Sequence, residues 1–430
     1  MILEYSIANT FSIKDKQTIS FEAVKTVDNK SSSSHIIQTF DKKKILKMAC
    51  IYGANASGKT NILTAFDFYI NFILDSFTEL KPNEDTHFVP FMFTKESDKL
   101  AGEFEIIFYV PDSNNNFIKY EYFIKLNQQQ VLEEVLYFAP TRQKKLLYER
   151  KEQKIKWGTD FTATSSNVIE QIVRPNCSII STGAQVNQPI ISYLYKYIKN
   201  RFRGIIFPTS ILSNYVLRNI EDELGFKEKA LGVLNASDIS PVTDIKIEEQ
   251  EYPDEVLNLL PQKIRQKILA TGQKPKQIIN AKLSHKIGDE DYDLPLELES
   301  NGTKRMMELT KPLLDLANSS VILIDELEVS LHQDLLETFI LLFLEISKDS
   351  QIIFTTHNQD LLDSELLRDD EVWFCYKDIW GKSEYNSITD YIGIRKEASR
   401  KKLYKAGKFG CLPNISLKEL KELFCAEENQ

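Results

Sequence analysis

Gly53-Ala54-Asn55-Ala56-Ser57-Gly58-Lys59-Thr60 spells G-x-x-x-x-G-K-[ST], the spacing of a backbone turn that wraps phosphate. Its two glycines permit conformations that turn successive amide N–H groups toward phosphate oxygens. Lys59 is then placed to reach the β- and γ-phosphates, and the Thr60 hydroxyl to ligate magnesium. A second constellation is Val321-Ile322-Leu323-Ile324-Asp325-Glu326, four apolar residues ending in two acids. Asp325 is suited to hold magnesium through water, and Glu326 to polarise an attacking water as general base. Thr355-Thr356-His357 ends the next apolar run, where an imidazole can sense a γ-phosphate. Glu299-Ser300-Asn301-Gly302-Thr303 precedes a helical stretch, so Ser300 and Gly302 form a second candidate cradle for phosphate at a helix N-terminus.

Each signal has an ordinary structural alternative: a strand-to-helix turn, a core strand ending in acids, a surface histidine. The elements around them decide against it. Met48 to Tyr52 is a short apolar run leading into the glycine-rich turn, and from Lys59 to Leu80 apolar residues recur at helical spacing. The phosphate loop therefore has its strand before it and its helix after it. Val321 to Asp325 and Gln351 to Thr355 read as buried parallel strands, whose C-terminal ends are where α/β proteins bind ligands.

Other segments frame this core. Ile2 to Ile7 and Thr18 to Phe21 alternate as strands, and residues 103 to 157 read as an antiparallel series (104–110, 117–126, 131–138, 146–157). Asp28 to Ser34 is a polar, Ser-rich loop. The middle of the chain reads as mainly helical, clearest over Pro189 to Arg203 and Pro253 to Leu269. The expected organisation is one α/β nucleotide-binding head split in sequence, residues 1–165 and 293–430, around a largely helical insertion at 166–292.

Bulk properties narrow the setting. With 42% hydrophobic and 27% charged residues the 430-residue chain is an ordinary globular protein. The start MILEYSIANTFSIKD lacks the features of a signal peptide, and the most apolar run, Phe339 to Leu344, is too short to span a bilayer. Five scattered cysteines (Cys50, Cys177, Cys375, Cys411, Cys425) show neither zinc-site nor disulfide spacing, so a cytoplasmic location is expected. A net charge of −9 argues against coating nucleic acid by bulk electrostatics. Two basic stretches, Arg142 to Lys156 and Lys263 to Lys286, read first as a solvated hairpin and helix-loop, and second as a DNA or partner contact.

The order of phosphate loop, Glu-Ser-Asn-Gly-Thr signature, acidic pair, Ser330-Leu331-His332 and switch histidine resembles the ABC-type heads of the chromosome-maintenance (SMC), RecF and OLD ATPases. Asn55 is similar to the loop of those recombination-linked members rather than that of transporters. Arg368 to Lys377 and Tyr404 to Pro413 resemble the RloA-like bacterial ATPases, a group associated with phage defence. The resemblance covers residues 1 to about 80 and 295 to 413. It implies an α/β head of mixed sheet and helices plus an antiparallel β lobe, ATP and Mg²⁺ as cofactors, and composite sites. Lys59, Asp325 and Glu326 of one head would close on Ser300 of another with ATP between them. It further implies a sensor or regulator of anti-phage defence acting on a separately encoded effector such as a nuclease, because about 70 residues after His357 are too few for the nuclease domain of OLD-type relatives. The alternative is a DNA-maintenance ATPase. The family's Asn-Phe-Arg is Asn9-Thr10-Phe11 here, so that arginine is absent. No Q-loop glutamine is assigned, and the residues that contact adenine are left open.

Overall fold

Near-continuous apolar runs bury on both faces and therefore make central parallel strands. Met48–Gly53, Val321–Ile324 and Gln351–Thr356 are buried at every position. In the computed structural model they lie side by side in a sheet ordered Phe202–Ile206, Val321–Ile324, Gln351–Thr356, Met48–Gly53, Val372–Lys377, Ser383–Ser387. All neighbours are parallel except the last pair. The structure describes the chain apart from residues 26, 28–32, 40–42, 98–99, 113–116, 141–142, 162, 209–215, 218, 221–222, 238–240, 252, 260–264, 266–275, 317, 395–397, 413–415, 418–420 and 422–430.

The described residues divide into two compact units, one of Met1–Ile206, Leu316–Leu327 and Ile340–Gln430, the other of Phe207–Asp315 and Glu328–Phe339. The first unit holds the parallel sheet and an antiparallel one. The antiparallel sheet runs Lys154–Trp157, Lys145–Lys151, Val131–Ala139, Phe117–Leu126, Gly102–Pro111, Ile2–Ala8, Gln17–Ser20. Between them runs the helix Lys59–Glu79, which the apolar spacing predicts. Its Phe66 ring meets Tyr5 at 4.5 Å, and its Tyr69 ring stacks on Phe104 and Tyr122 at 5.4 and 6.0 Å. Buried Gln351 ties the two sheets at the backbone. Its amide accepts from Ile2 N (2.6 Å) and donates to the carbonyls of Ile2 and Leu46 (2.9 and 3.1 Å).

The fold class is therefore α/β with an antiparallel β lobe, as the resemblance implies, but three local expectations change. The run 146–157 is two strands, because Glu152 takes φ 54° and turns the chain between Lys145–Lys151 and Lys154–Trp157. Arg150, read as part of a solvated basic stretch, is fully buried on Glu134. The helical middle holds for Ile179–Gln185, Pro189–Arg201 and Phe226–Ala236. Strands Val242–Glu251, Lys276–Ile287 and Glu290–Pro295 then form an antiparallel sheet instead. Its cross-strand charge pairs Lys246–Asp293 and Lys282–Glu248 alternate with buried Ile245 and Leu283, a two-residue period that the basic composition of this stretch obscured.

Residues 166–206 stay with the first unit, because the helix Ile179–Gln185 docks on Lys59–Glu79. Ser178 Oγ donates to Ile73 O at 3.0 Å, and Ser181 Oγ accepts from Phe77 N at 3.0 Å. The second unit has its own core of Phe226, Leu234, Ile245, Leu283, Met306 and Met307. Much of the Ser-rich loop, Arg142, most of the stretch from Lys263 to Pro275, the end of the Pro253–Leu269 helix, Pro413 and Cys425 lie outside the described residues. The other four cysteines are buried thiols, and among the described residues no helix is long and apolar enough to cross a membrane.

Candidate functional site

Parallel pairing brings the C-terminal ends of three strands to one sheet edge, and that edge carries the candidate chemistry of the first unit. After Gly53 the chain turns through Ala54, Asn55, Ala56, Ser57 and Gly58 and enters the helix at Lys59. Ala56 (φ 61°) and Gly58 (φ 113°) adopt the left-handed conformations of an anion-binding nest. A Cβ on Gly58 would lie 2.1 Å from Ser383 Oγ, so only glycine fits there. Asn55 and Ala56 form the exposed crown of the loop, whereas Ser57 and Lys59 are buried.

Lys59 Nζ donates to the carbonyls of Gly53 (3.0 Å) and Ala54 (3.1 Å) and lies 2.8 Å from His357 Nε2. The Thr60 hydroxyl bonds both carboxylate oxygens of Asp325, at 3.0 and 2.9 Å. Thr355 carries no role that its sequence context reveals. Its hydroxyl donates to Asp325 Oδ1 (2.7 Å) and accepts from Glu326 N (2.8 Å). Glu326 itself has φ 46°, a conformation that costs a non-glycine residue roughly 1 kcal/mol or more. Thr355 thus fixes the Asp325 carboxylate and the backbone of Glu326 together. Asp325 points at Thr60, and Glu326 is turned out of the strand and half-buried.

A further layer was not legible as a motif. Ser383 Oγ donates to Ser57 O (2.5 Å), Tyr385 OH to Gly58 O (2.6 Å) and Cys375 Sγ to Ser57 O (3.3 Å). Ser12 Oγ lies 2.7 Å from Ser383 Oγ and accepts from Asn61 Nδ2 at 2.6 Å. The hairpin Val372–Ser387 therefore straps the loop from the side opposite the acids. Burial pushes the Cys375 thiol up to about 11, so it donates to the loop as a neutral group.

The residues fit a magnesium nucleotide. The Thr60 hydroxyl would supply a hard oxygen ligand to such an ion, and the Asp325 carboxylate would hold it through water. The loop supplies the nest, and the buried Ser57 hydroxyl has no hydrogen-bond partner among the described residues.

In the second unit, Ser300 is exposed at the start of the helix Asn301–Leu316. Its Oγ accepts from Thr303 N at 3.0 Å and lies 2.8 Å from Thr303 Oγ1, an N-cap. Gly302 packs close to the next motif: a Cβ there would lie 3.3 Å from the Ser330 carbonyl. His285 Nε2 sits 2.6 Å from Glu299 Oε1, holding the turn just before Ser300 from the sheet.

Residues 48–363, most of the chain and all of these motifs, match the family described as "AAA domain, putative AbiEii toxin, Type IV TA system". The chain belongs to this family. Membership makes it an ATPase of the AAA class. No curated protein matches it. Among solved structures it is similar to the SMC head domain from Thermotoga maritima, at 13% identity and a TM-score of 0.40, covering 90% of this chain and 98% of that one. It is also similar to the Smc head domain with an extended coiled coil bound to the C-terminal domain of ScpA, derived from Pyrococcus furiosus. There the identity is 13% and the TM-score 0.41, over 95% of this chain and 98% of that one.

Proposed function

We propose that this chain is a nucleotide-gated regulator of a bacterial anti-phage system of the RloA-like kind, whose heads pair around ATP and Mg²⁺. The observation that carries the reading is the meeting of Lys59, Thr60, Asp325 and His357 within hydrogen-bonding distance at one sheet edge. Gly53 to Thr60 would cradle the phosphates, and Thr60 and Asp325 would hold the metal. Glu326 would act as general base, with Lys59 and His357 at the γ-phosphate. Ser300 and Gly302 of a second copy would complete each site. The exposed, N-capped Ser300 supports this, since its helix N-terminus is presented to solvent. Binding of ATP then favours closed pairs and hydrolysis releases them, which turns nucleotide state into a conformational signal.

The defence context is supported by the family's description, which names an AbiEii toxin of a type IV toxin–antitoxin system. In this reading the effector, a nuclease, is encoded separately. The test is a pull-down of tagged Glu326→Gln from native-host lysate with ATP. Recovery of a stoichiometric partner with nuclease character, without enriched DNA, is the expected result. Nuclease-protectable DNA without a protein partner would replace this reading with DNA maintenance.

A further inference from the structure

The turn between Val372–Lys377 and Ser383–Ser387 holds apolar rings out in water on a rigid frame. Asp378 fixes it: its carboxylate accepts from Trp380 N and Lys382 N, both at 2.8 Å, and its N–H donates to Lys382 O at 2.9 Å. At the tip, Ile379 is 92% and Trp380 70% exposed. Gly381 (φ 78°) lets the Phe93 ring lie flat against the turn; a Cβ there would be 2.7 Å from Phe93 Cδ2. Phe93 is 67% and Met92 60% exposed, and Phe93 meets Phe91 edge-on at 5.8 Å. Single exposed apolar residues are common, but a contiguous patch on a built turn marks a binding surface.

Its position indicates what covers it. Cys375 pairs with Gly53, so the hairpin extends past the phosphate loop at the ligand-binding edge of the sheet. Ser383, which closes the turn, donates to the loop carbonyl of Ser57 and receives the N-terminal segment through Ser12. Trp380 is three residues from that anchor, at most roughly 10 Å along the chain. Lys14 Nζ lies 5.9 Å from the Phe91 ring centroid, adding a cation at the platform's margin.

We infer that Trp380 and Phe93 form the stacking platform for the purine base of the nucleotide held at Gly53–Thr60, and so decide base affinity. The inference rests on the phosphate-loop reading. A nucleotide with its phosphates at the loop would have its base in reach of the hairpin, whose Ser383 and Tyr385 bond the loop carbonyls of Ser57 and Gly58. There the base exchanges water for aromatic faces, a contact available to any purine ring and absent for inorganic phosphate chains.

The experiment compares binding of Mg-ATP and Mg-tripolyphosphate to the full-length chain and to Trp380→Ala, Phe93→Ala, Trp380→Phe and Lys59→Ala. Sedimentation is run alongside. Base stacking of this kind predicts that Trp380→Ala and Phe93→Ala each raise the Kd for ATP about tenfold. Tripolyphosphate affinity stays unchanged, and Trp380→Phe keeps most of the ATP affinity. Equal ATP affinity in Trp380→Ala and the unaltered chain overturns the platform, as does an equal loss for both ligands. A change in self-association alone, with ATP affinity intact, also overturns it and makes the patch a protein interface. Failure of the underlying reading looks different: Lys59→Ala would then bind both ligands as the unaltered chain does.

Discussion

The Lys59 ammonium nitrogen lies 2.8 Å from Nε2 of His357, at the mouth of the phosphate loop. The ammonium has only protons to give, so Nε2 accepts and the imidazole carries its proton on Nδ1. Phosphate oxygens at the loop would compete for the same ammonium. Binding would then draw Lys59 toward phosphate and leave Nε2 facing the γ-position. The two residues should therefore separate in a kinetic comparison. Lys59→Ala is expected to lose ATP binding while remaining folded, read by calorimetry and circular dichroism. His357→Ala is expected to keep ATP affinity within a fewfold while kcat falls by about 10²-fold. Equal losses of affinity in both variants would remove the distinction.

Glu326 takes φ 46°, and its backbone N–H donates to Thr355 Oγ1. Glu326→Gln keeps that backbone bond and the shape of the side chain. It should bind ATP normally, hydrolyse it about 10²- to 10⁴-fold more slowly and accumulate closed pairs in gel filtration with ATP. Normal turnover with no change in size would take Glu326 out of the role of base.

Composite sites predict complementation. Ser300→Arg should fold, since Ser300 is exposed, yet fail to hydrolyse ATP. Mixed with equally inactive Lys59→Ala, it should regain about a quarter of normal activity. Half the pairs would then be mixed, and each mixed pair has one intact site. A mixture as inactive as its components would argue that each head works alone.

The β lobe makes a stability prediction independent of nucleotide. Glu134 is fully buried and accepts from Tyr122 OH (2.8 Å), Tyr148 OH (2.9 Å) and Ile179 N (2.9 Å), with Arg150 Nη1 at 3.4 Å. Burial pushes its carboxyl up, and Arg150 opposes that shift. Glu134→Ala leaves the buried Arg150 guanidinium with the carbonyls of Glu152, Cys177 and Arg174 but without the Glu134 charge, beside unpaired hydroxyls, so urea unfolding should show a loss of about 3–5 kcal/mol. A change below about 1 kcal/mol would mean that these carbonyls, or water, satisfy Arg150 without the carboxylate.

The legible parts of the site share one property: their chemistry is carried by local order. Gly53 to Thr60 makes its own nest, and the fully apolar strands Met48–Gly53, Val321–Ile324 and Gln351–Thr356 follow from runs that can only be buried. Thr355, Ser12, Ser383, Tyr385 and Cys375 act on the loop or the acids from elsewhere in the chain, and no spacing rule connects them. Arg150 looked like a surface cation because composition cannot reveal that Glu134 waits one strand away.

By itself the sequence determined the loop, the acids, His357 and the strands and helix that carry them, because hydrophobic period and short motifs are local properties. Only the tertiary structure decided that the Thr355 hydroxyl bridges Asp325 Oδ1 and the Glu326 N–H. It alone set Ser12 and Ser383 against the loop, and paired Val242–Glu251, Lys276–Ile287 and Glu290–Pro295 into a sheet. Those outcomes depend on which distant strands become neighbours, and pairing across hundreds of residues is selected by the packing of the whole core.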